Sequence, residues 1–231
     1  MDCIRAIHGS KFWAEAKQLP DPHFDPDDGI TLADHLEAVA KNVRTMIISE
    51  TEQNWVMTLR TFCNENVMQC SEAAALLEPA ALLHDLGKFY QIKARQRAND
   101  SAGELSTERH AIISSEIGDH ILPGDLPHRN IILGLIRQHD QPYCWYRQHQ
   151  STGGVPGLDA WIRLGRKVSE ADPNSGLVLL CLLKFADVHG HKTVRDSSWF
   201  CVEANRQLLS TTGLEIPVPS TNDFLILPGS G

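Results

Sequence analysis

Ala81-Leu82-Leu83-His84-Asp85-Leu86-Gly87-Lys88 is the stretch on which the reading of the chain turns. An Ala/Leu run of this kind is the buried side of a helix, and it ends in adjacent imidazole and carboxylate groups. A charged group left unpaired on an apolar face costs several kcal/mol, so such groups are paired or bound to a metal. Imidazole nitrogen and carboxylate oxygen together suit divalent first-row ions. Two readings stand at this point: a buried hydrogen-bonded His–Asp pair, or part of a metal site. Pro79 suits the first turn of this helix and Gly87 its end, which predicts a helix over 79–86. Asp85 would then lie in the last turn, accessible to solvent or substrate.

Four further segments repeat the pattern. In Thr31-Leu-Ala-Asp-His35-Leu-Glu-Ala-Val-Ala-Lys-Asn-Val43, the residues Leu32, His35, Leu36, Val39 and Val43 share one helical face. His110 opens the amphipathic run Arg109 to Gly118. His139 and Asp140 end the run that starts at Ile131, and Asp187 sits in Leu179 to His189, the most apolar segment of the chain. Each alone reads as a satisfied core or helix-end residue. Together, polar groups on the apolar side of five separate helices read as a metal site.

The ordered set His35, His84-Asp85, His110, His139, Asp187 resembles the HD-domain superfamily of metal-dependent phosphohydrolases. The likeness is closest to the HD module beside the nucleotidyltransferase domain of bacterial tRNA CCA-adding enzymes and poly(A) polymerases. It is carried by Leu82-Leu-His-Asp-Leu-Gly-Lys-Phe89, Glu108-Arg-His-Ala-Ile-Ile-Ser-Ser-Glu-Ile-Gly118, Leu135-Ile-Arg-Gln-His139 and Leu183-Lys-Phe-Ala-Asp187, and spans about residues 30 to 190. Nothing in the chain resembles the nucleotidyltransferase half, with its strand carboxylates and basic tail.

The resemblance implies an all-α HD-domain helical bundle with a metal site between helices. His35, His84, Asp85 and Asp187 would hold one divalent ion, and His110 and His139 a second, with Asp85 bridging. A one-metal version leaves His110 and His139 to contact phosphate. Mn, Fe, Co, Ni or Zn suits these donors, and Mg suits them less. Two ions about 3.5–4 Å apart can supply hydroxide and stabilise in-line displacement at phosphorus. The implied function is a metal-dependent phosphohydrolase, monoesterase or diesterase, acting on a nucleotide or other small phosphoester. Asp85, Lys88 and Asp140 are the candidate catalytic residues. Lys88 would place an ammonium near the scissile phosphate or satisfy a helix C-terminus. Asp140 would hold the His139 tautomer or accept a proton. Lys88, Lys93, Arg95, Arg137 and His189 are candidate substrate contacts, with His191 and Arg195 behind them. Glu108, Arg109 and Ser114 read as surface or packing positions. Three alternatives stay open: a di-iron oxygenase built on the same ligand order, a nucleotide-binding regulatory module without turnover, and a purely structural His–Asp core.

Bulk properties narrow the field. The chain has 231 residues, 42% of them hydrophobic, enough for one substantial core. A formal charge of −8 argues against a general binder of nucleic-acid backbone, while a small phosphorylated partner stays compatible because bound cations reverse the local field. The basic stretch Lys88 to Arg97 could steer a phosphate or be a solvated loop. Six cysteines without a C-x-x-C pair favour reduced thiols. With no signal-type h-region, and no apolar run near the roughly 18 residues of a membrane span, the expectation is a cytoplasmic protein with no membrane partner. No spacing bears on oligomeric state.

The prolines at 20, 22 and 26 mark residues 1–29 as a strap, followed by an HD domain over 30–212 and a tail over 213–231. Helices are predicted near 31–48, 51–77, 79–86, 108–121, 128–139, 158–170, 175–189 and 198–210, with a short one possible before the prolines. Short extended pieces are expected at Leu214 to Pro219 and Phe224 to Leu227. Pro142 to Pro156 reads as a surface loop, with a lid or base-stacking wall as the alternative. Trp145, Tyr146, Trp161 and Trp199 would serve a core or an interface.

Overall fold

Thr31 starts the first long helix as its sequence suggests. Its Oγ1 accepts the Asp34 N–H at 3.2 Å, and Asp34 accepts the Thr31 N–H at 2.9 Å, a reciprocal cap that satisfies two otherwise unpaired donors. The structure, a computed structural model, describes residues 3–21, 28–48, 54–98, 107–189, 199–200, 202–206, 213 and 215–217; residues 54, 94–98, 107–108 and 189 are described by backbone alone. Among these are α1 (Cys3–His8), α2 (Lys11–Ala16), α3 (Leu32–Ile47), α4 (Asn54–Asn66), α5 (Cys70–Leu83) and α6 (Lys88–Ala98). They are followed by α7 (Thr107–Ile121), α8 (Arg129–Gln138), α9 (Gln141–Thr152), α10 (Leu158–Val168) and α11 (Pro173–His189). No strand occurs among the described residues; one isolated antiparallel bridge joins Pro20 to Thr31. The protein is all-α in this sense, and no described helix is long and apolar enough to cross a membrane.

α3, α5 and α11 form the centre, with α8 and α10 packed on α11 and α7 on α8. α11 and α10 approach backbone to backbone: a Cβ on Gly165 would lie 2.0 Å from the Pro173 carbonyl oxygen, so only glycine fits there. Ile7, Trp13 and Ala16 of the N-terminal segment share this core, and so does Ile216, whose backbone exchanges two hydrogen bonds with the Asn205 side chain. One core therefore crosses both boundaries drawn from the sequence. No disulfide joins any two of Cys3, Cys63, Cys70, Cys144 and Cys181 among the described residues.

Several elements differ from expectation. The segment expected as one helix over 51–77 is two, because Asn64 Oδ1 accepts the Cys70 N–H at 2.8 Å and starts α5 there. Pro79 lies inside α5, not in its first turn, and the helix ends at Leu83. Lys88 therefore opens α6 instead of closing a helix, and the basic stretch is helical, not a loop. The expected loop after Pro142 is α9. Pro142 falls in its first turn, where the missing N–H costs nothing, and Gly153 ends it with a left-handed φ of 69°. Trp145 meets Trp161 edge-on at 4.7 Å, and His149 stacks on Trp199 at 5.0 Å. Residues 215–217 are irregular; Phe224 to Leu227 lie outside the described residues.

Candidate metal centre

Helix ends bring the polar residues together. His84 caps the C-terminus of α5 and His139 that of α8, where the last carbonyls lack helical partners. Each ring uses its Nδ1 to donate to one of these, His84 to Ala81 at 2.8 Å and His139 to Ile136 at 2.7 Å. Both rings consequently turn Nε2 into the space between the helices, where His139 Nε2 lies 3.2 Å from His110 Nε2. His35 arrives from the first turn of α3, His110 from the first turn of α7, and Asp187 from the last turn of α11. Asp85 stands in the turn after α5. A Cβ on Gly87 in that turn would sit 2.1 Å from the His110 carbonyl oxygen, and the Gly87 N–H donates to Ser114 Oγ at 2.7 Å. This backbone contact sets α7 against the turn and His110 beside Asp85. It also covers Asp85, which is buried and not solvent-accessible as expected.

The two oxygens of Asp85 face different groups. Oδ2 is 3.5 Å from His35 Nε2 and 3.4 Å from His84 Nε2, and Asp187 Oδ1 is 3.5 and 3.4 Å from the same nitrogens. Oδ1 is 3.0 Å from His110 Nε2 and 3.3 Å from His139 Nε2. Asp140 closes this second group, with Oδ2 2.9 Å from His110 Nε2 and Oδ1 3.5 Å from His139 Nε2. The His139 Nδ1 is already taken by Ile136, so Asp140 does not hold its tautomer; it faces the same nitrogens as Asp85.

These distances fit metal coordination. Donors about 2.0–2.2 Å from a tetrahedral ion stand about 3.3–3.6 Å apart, the spacing of the first group. The donor sets His35/His84/Asp187, His84/Asp85/His139 and His110/His139/Asp140 each converge closely enough to hold an ion. His84 Nε2 is buried without a hydrogen-bond partner and faces carboxylate oxygens with a lone pair. A cation between them turns that repulsion into attraction.

Charge is dense here. Burial disfavours an imidazolium at His35, but hydrogen bonds to Asp187 and Asp85, with Asp21 behind, outweigh it and raise its pKa to about 10. At His110, burial is likewise overcome by Asp140 and Asp85, giving about 9. Burial lowers the His84 pKa. Asp140 falls to about 2, since His139 and His110 overcome its burial, and Asp85 is held well below the carboxylate range against burial by Lys88 and His84. Lys88 is buried and donates to Asp85 Oδ2. Lys184 Nζ donates to Asp187 Oδ2 at 2.7 Å, which leaves Asp187 Oδ1 for the histidines. Burial opposes charge on both lysines, and the facing carboxylates raise their pKa values regardless.

The structure thus gathers His35, His84, Asp85, Lys88, His110, His139, Asp140 and Asp187. The remaining candidates are not among these converging groups. Lys93 pairs with Glu15 at 2.7 Å and lies over the Phe89 ring, and Arg137 is exposed on α8. Arg109 is exposed and Ser114 buried in packing. The Arg95, Glu108 and His189 side chains, and residues His191 and Arg195, lie outside what is described. Sequence reasoning missed Lys184, signalled only by its i,i+3 spacing to Asp187, and Asp21, hidden between two prolines. The cluster is most accessible at Asp140 and Lys184, whose side chains are 15% and 14% exposed. Comparison with family models, curated proteins and solved structures finds no match for this chain.

Proposed function

We propose that this protein is a metal-dependent phosphohydrolase of HD type, acting on a nucleotide or another small phosphoester. The observation that carries the reading is Asp85, whose two oxygens serve two adjacent His/carboxylate groups. His35, His84, Asp85 and Asp187 would hold one divalent ion, and His110, His139, Asp140 and Asp85 the other. Bound there, such ions acidify water and neutralise charge building on phosphoryl oxygens.

The protein's own groups complete the setting. Asp21, Asp85, Asp140 and Asp187 against Lys88 and Lys184 leave two negative charges when the imidazoles are neutral. Two divalent ions would turn this to two positive, which suits an anionic substrate. The Lys184 ammonium stands at the accessible edge beside Asp140 and is the cation placed to meet an incoming phosphate. Lys88 is buried against Asp85, so its part is to neutralise and orient that carboxylate. Lys93 is engaged by Glu15, so this reading assigns the phosphate contact to Lys184 instead.

The test is release of phosphate or nucleoside from mononucleotides, cyclic nucleotides and dinucleoside polyphosphates after loading with Mn, Co, Ni or Fe. Release that requires metal and falls to background in Asp85→Ala is expected. Silence across the panel with metal bound, or oxygen consumption in place of hydrolysis, overturns the reading.

A further inference from the structure

Asp21 is a carboxylate whose side chain is fully buried, supplied by a segment that sequence reading treats as a strap outside the functional domain. The segment is pinned beside α3: Asp21 N–H donates to the Ile30 carbonyl at 3.0 Å, and Leu32 N–H to the Leu19 carbonyl at 2.9 Å. This short antiparallel pairing turns Asp21 inward, with Oδ2 3.9 Å from His35 Nδ1.

The three histidines His35, His84 and His139 share one problem, since Nδ1 must keep its proton if Nε2 is to bind a metal. His84 and His139 solve it with unpaired carbonyls at helix C-termini. His35 stands in the first turn of α3, where that solution fails. The Thr31 carbonyl ahead of it already accepts the His35 backbone N–H at 3.2 Å. The group facing its ring Nδ1 is Asp21. At 3.9 Å the two buried groups are in ion-pair range.

We propose that Asp21 is the positioning carboxylate of His35, fixing the Nδ1–H tautomer so that Nε2 faces Asp85 and Asp187. The segment before α3 is then part of the metal centre. The inference rests on His35 being a ligand, as the proposed function has it. Orienting carboxylates behind ligand histidines typically matter ten- to a hundredfold in metal affinity. A charge-balancing role beside Lys88 is the competing explanation, and it makes a different prediction for an uncharged acceptor.

The experiment is calorimetric titration of metal-free protein with Mn²⁺ and Zn²⁺, comparing wild type, Asp21→Ala, Asp21→Asn and the exposed control Asp28→Ala. Asp21→Ala should bind about ten- to a hundredfold more weakly, while Asp21→Asn, which keeps an acceptor, stays within about threefold of wild type. Asp28→Ala should match wild type. Long-range proton–nitrogen spectra of the wild-type Zn²⁺ form, with the His35 ring assigned through His35→Gln, should show the proton on Nδ1. Equal affinity of folded Asp21→Ala and wild type overturns the proposal. So does an Asp21→Asn variant as weak as Asp21→Ala, or a His35 ring bound through Nδ1; that last result needs no variant of Asp21 to fold. Wild-type protein that takes up no metal overturns the proposed function as well, which separates the two failures.

Discussion

Asp85 is the residue on which the centre depends, because each of its oxygens belongs to a different donor group. Asp85→Ala should abolish tight binding of both ions, read as metal content after dialysis. Asp187→Ala should remove the ion beside His35 and His84, and Asp140→Ala the one beside His110 and His139. A variant of Asp187 that loses both ions, or neither, would show that the groups are not separate. Protons compete for the same atoms. His35 near 10 and His110 near 9 hold protons at neutral pH that a metal must displace, so apparent affinity should climb with pH until about 9–10. The slope should approach about tenfold per pH unit for each proton displaced. For metal-free protein the sign is opposite. Folded-state pKa values above the unfolded value of about 6.5 stabilise fully below that pH and lose their contribution as pH rises to about 10. Thermal unfolding with and without metal at pH 6, 7.5 and 9 checks both trends; parallel curves would count against them.

Helices place these residues through their ends and close contacts, and the contact at Gly87 is the sharpest. Its Cβ would need to share space with the His110 carbonyl oxygen and the Ser114 backbone nitrogen, so Gly87→Ala must push α7 away from the turn. The expected cost is about 1–3 kcal/mol of stability, measured by denaturant unfolding, with weaker binding at the His110/His139 group than at the other. Unchanged binding at both groups would mean that α7 is not fixed by this contact. Such contacts also explain what was legible in the sequence. His35 could be read because Leu32, Leu36, Val39 and Val43 mark its helix face, and all are buried. His84, Asp85 and Asp187 stand out against uniformly apolar runs. α9 could not be read that way, since its residues are polar and aromatic and it is secured by ring contacts from Trp161 and Trp199, both distant in sequence. Pro79 points to a helix start by local rules, and burial within α5 overrides them. Lys93 sits in a basic run that looks like a phosphate site, but its helix turns it to Glu15. The inward turn of Asp21 depends on pairing with residues 30–32, which no local pattern announces.

At the scale of the whole molecule, the charged cluster interrupts a core that would otherwise be apolar. Helices α3, α5, α7, α8 and α11 each contribute to it, and α3, α5 and α11 are also the elements that pack most centrally. Without metal, the carboxylates there are balanced by protonated His35 and His110 and by Lys88 and Lys184, at the cost of desolvating every one of these charges. Metal bound there is therefore expected to act on global stability as well as on chemistry, since it ties segments from residue 35 to residue 187 through one centre. A ligand that binds only the folded state at a hundred times its Kd adds about 2.7 kcal/mol. For a domain of this length, 1 kcal/mol moves the Tm by about 2–4 °C, so each bound ion should raise the melting temperature by about 5–11 °C over the chelated protein. Asp85→Ala should lose most of that difference, because it removes a donor from both groups. The exposed substitution Arg137→Ala should keep it in full, since Arg137 is exposed and is none of the proposed metal ligands. Equal melting temperatures with and without metal, at metal concentrations that saturate binding, would mean that the ions bind the unfolded chain as well as the folded one. The buried carboxylates would then be balanced by Lys88, Lys184 and the protonated His35 and His110 in either state, and the double variant Lys88→Met/Lys184→Met would be strongly destabilising with or without metal.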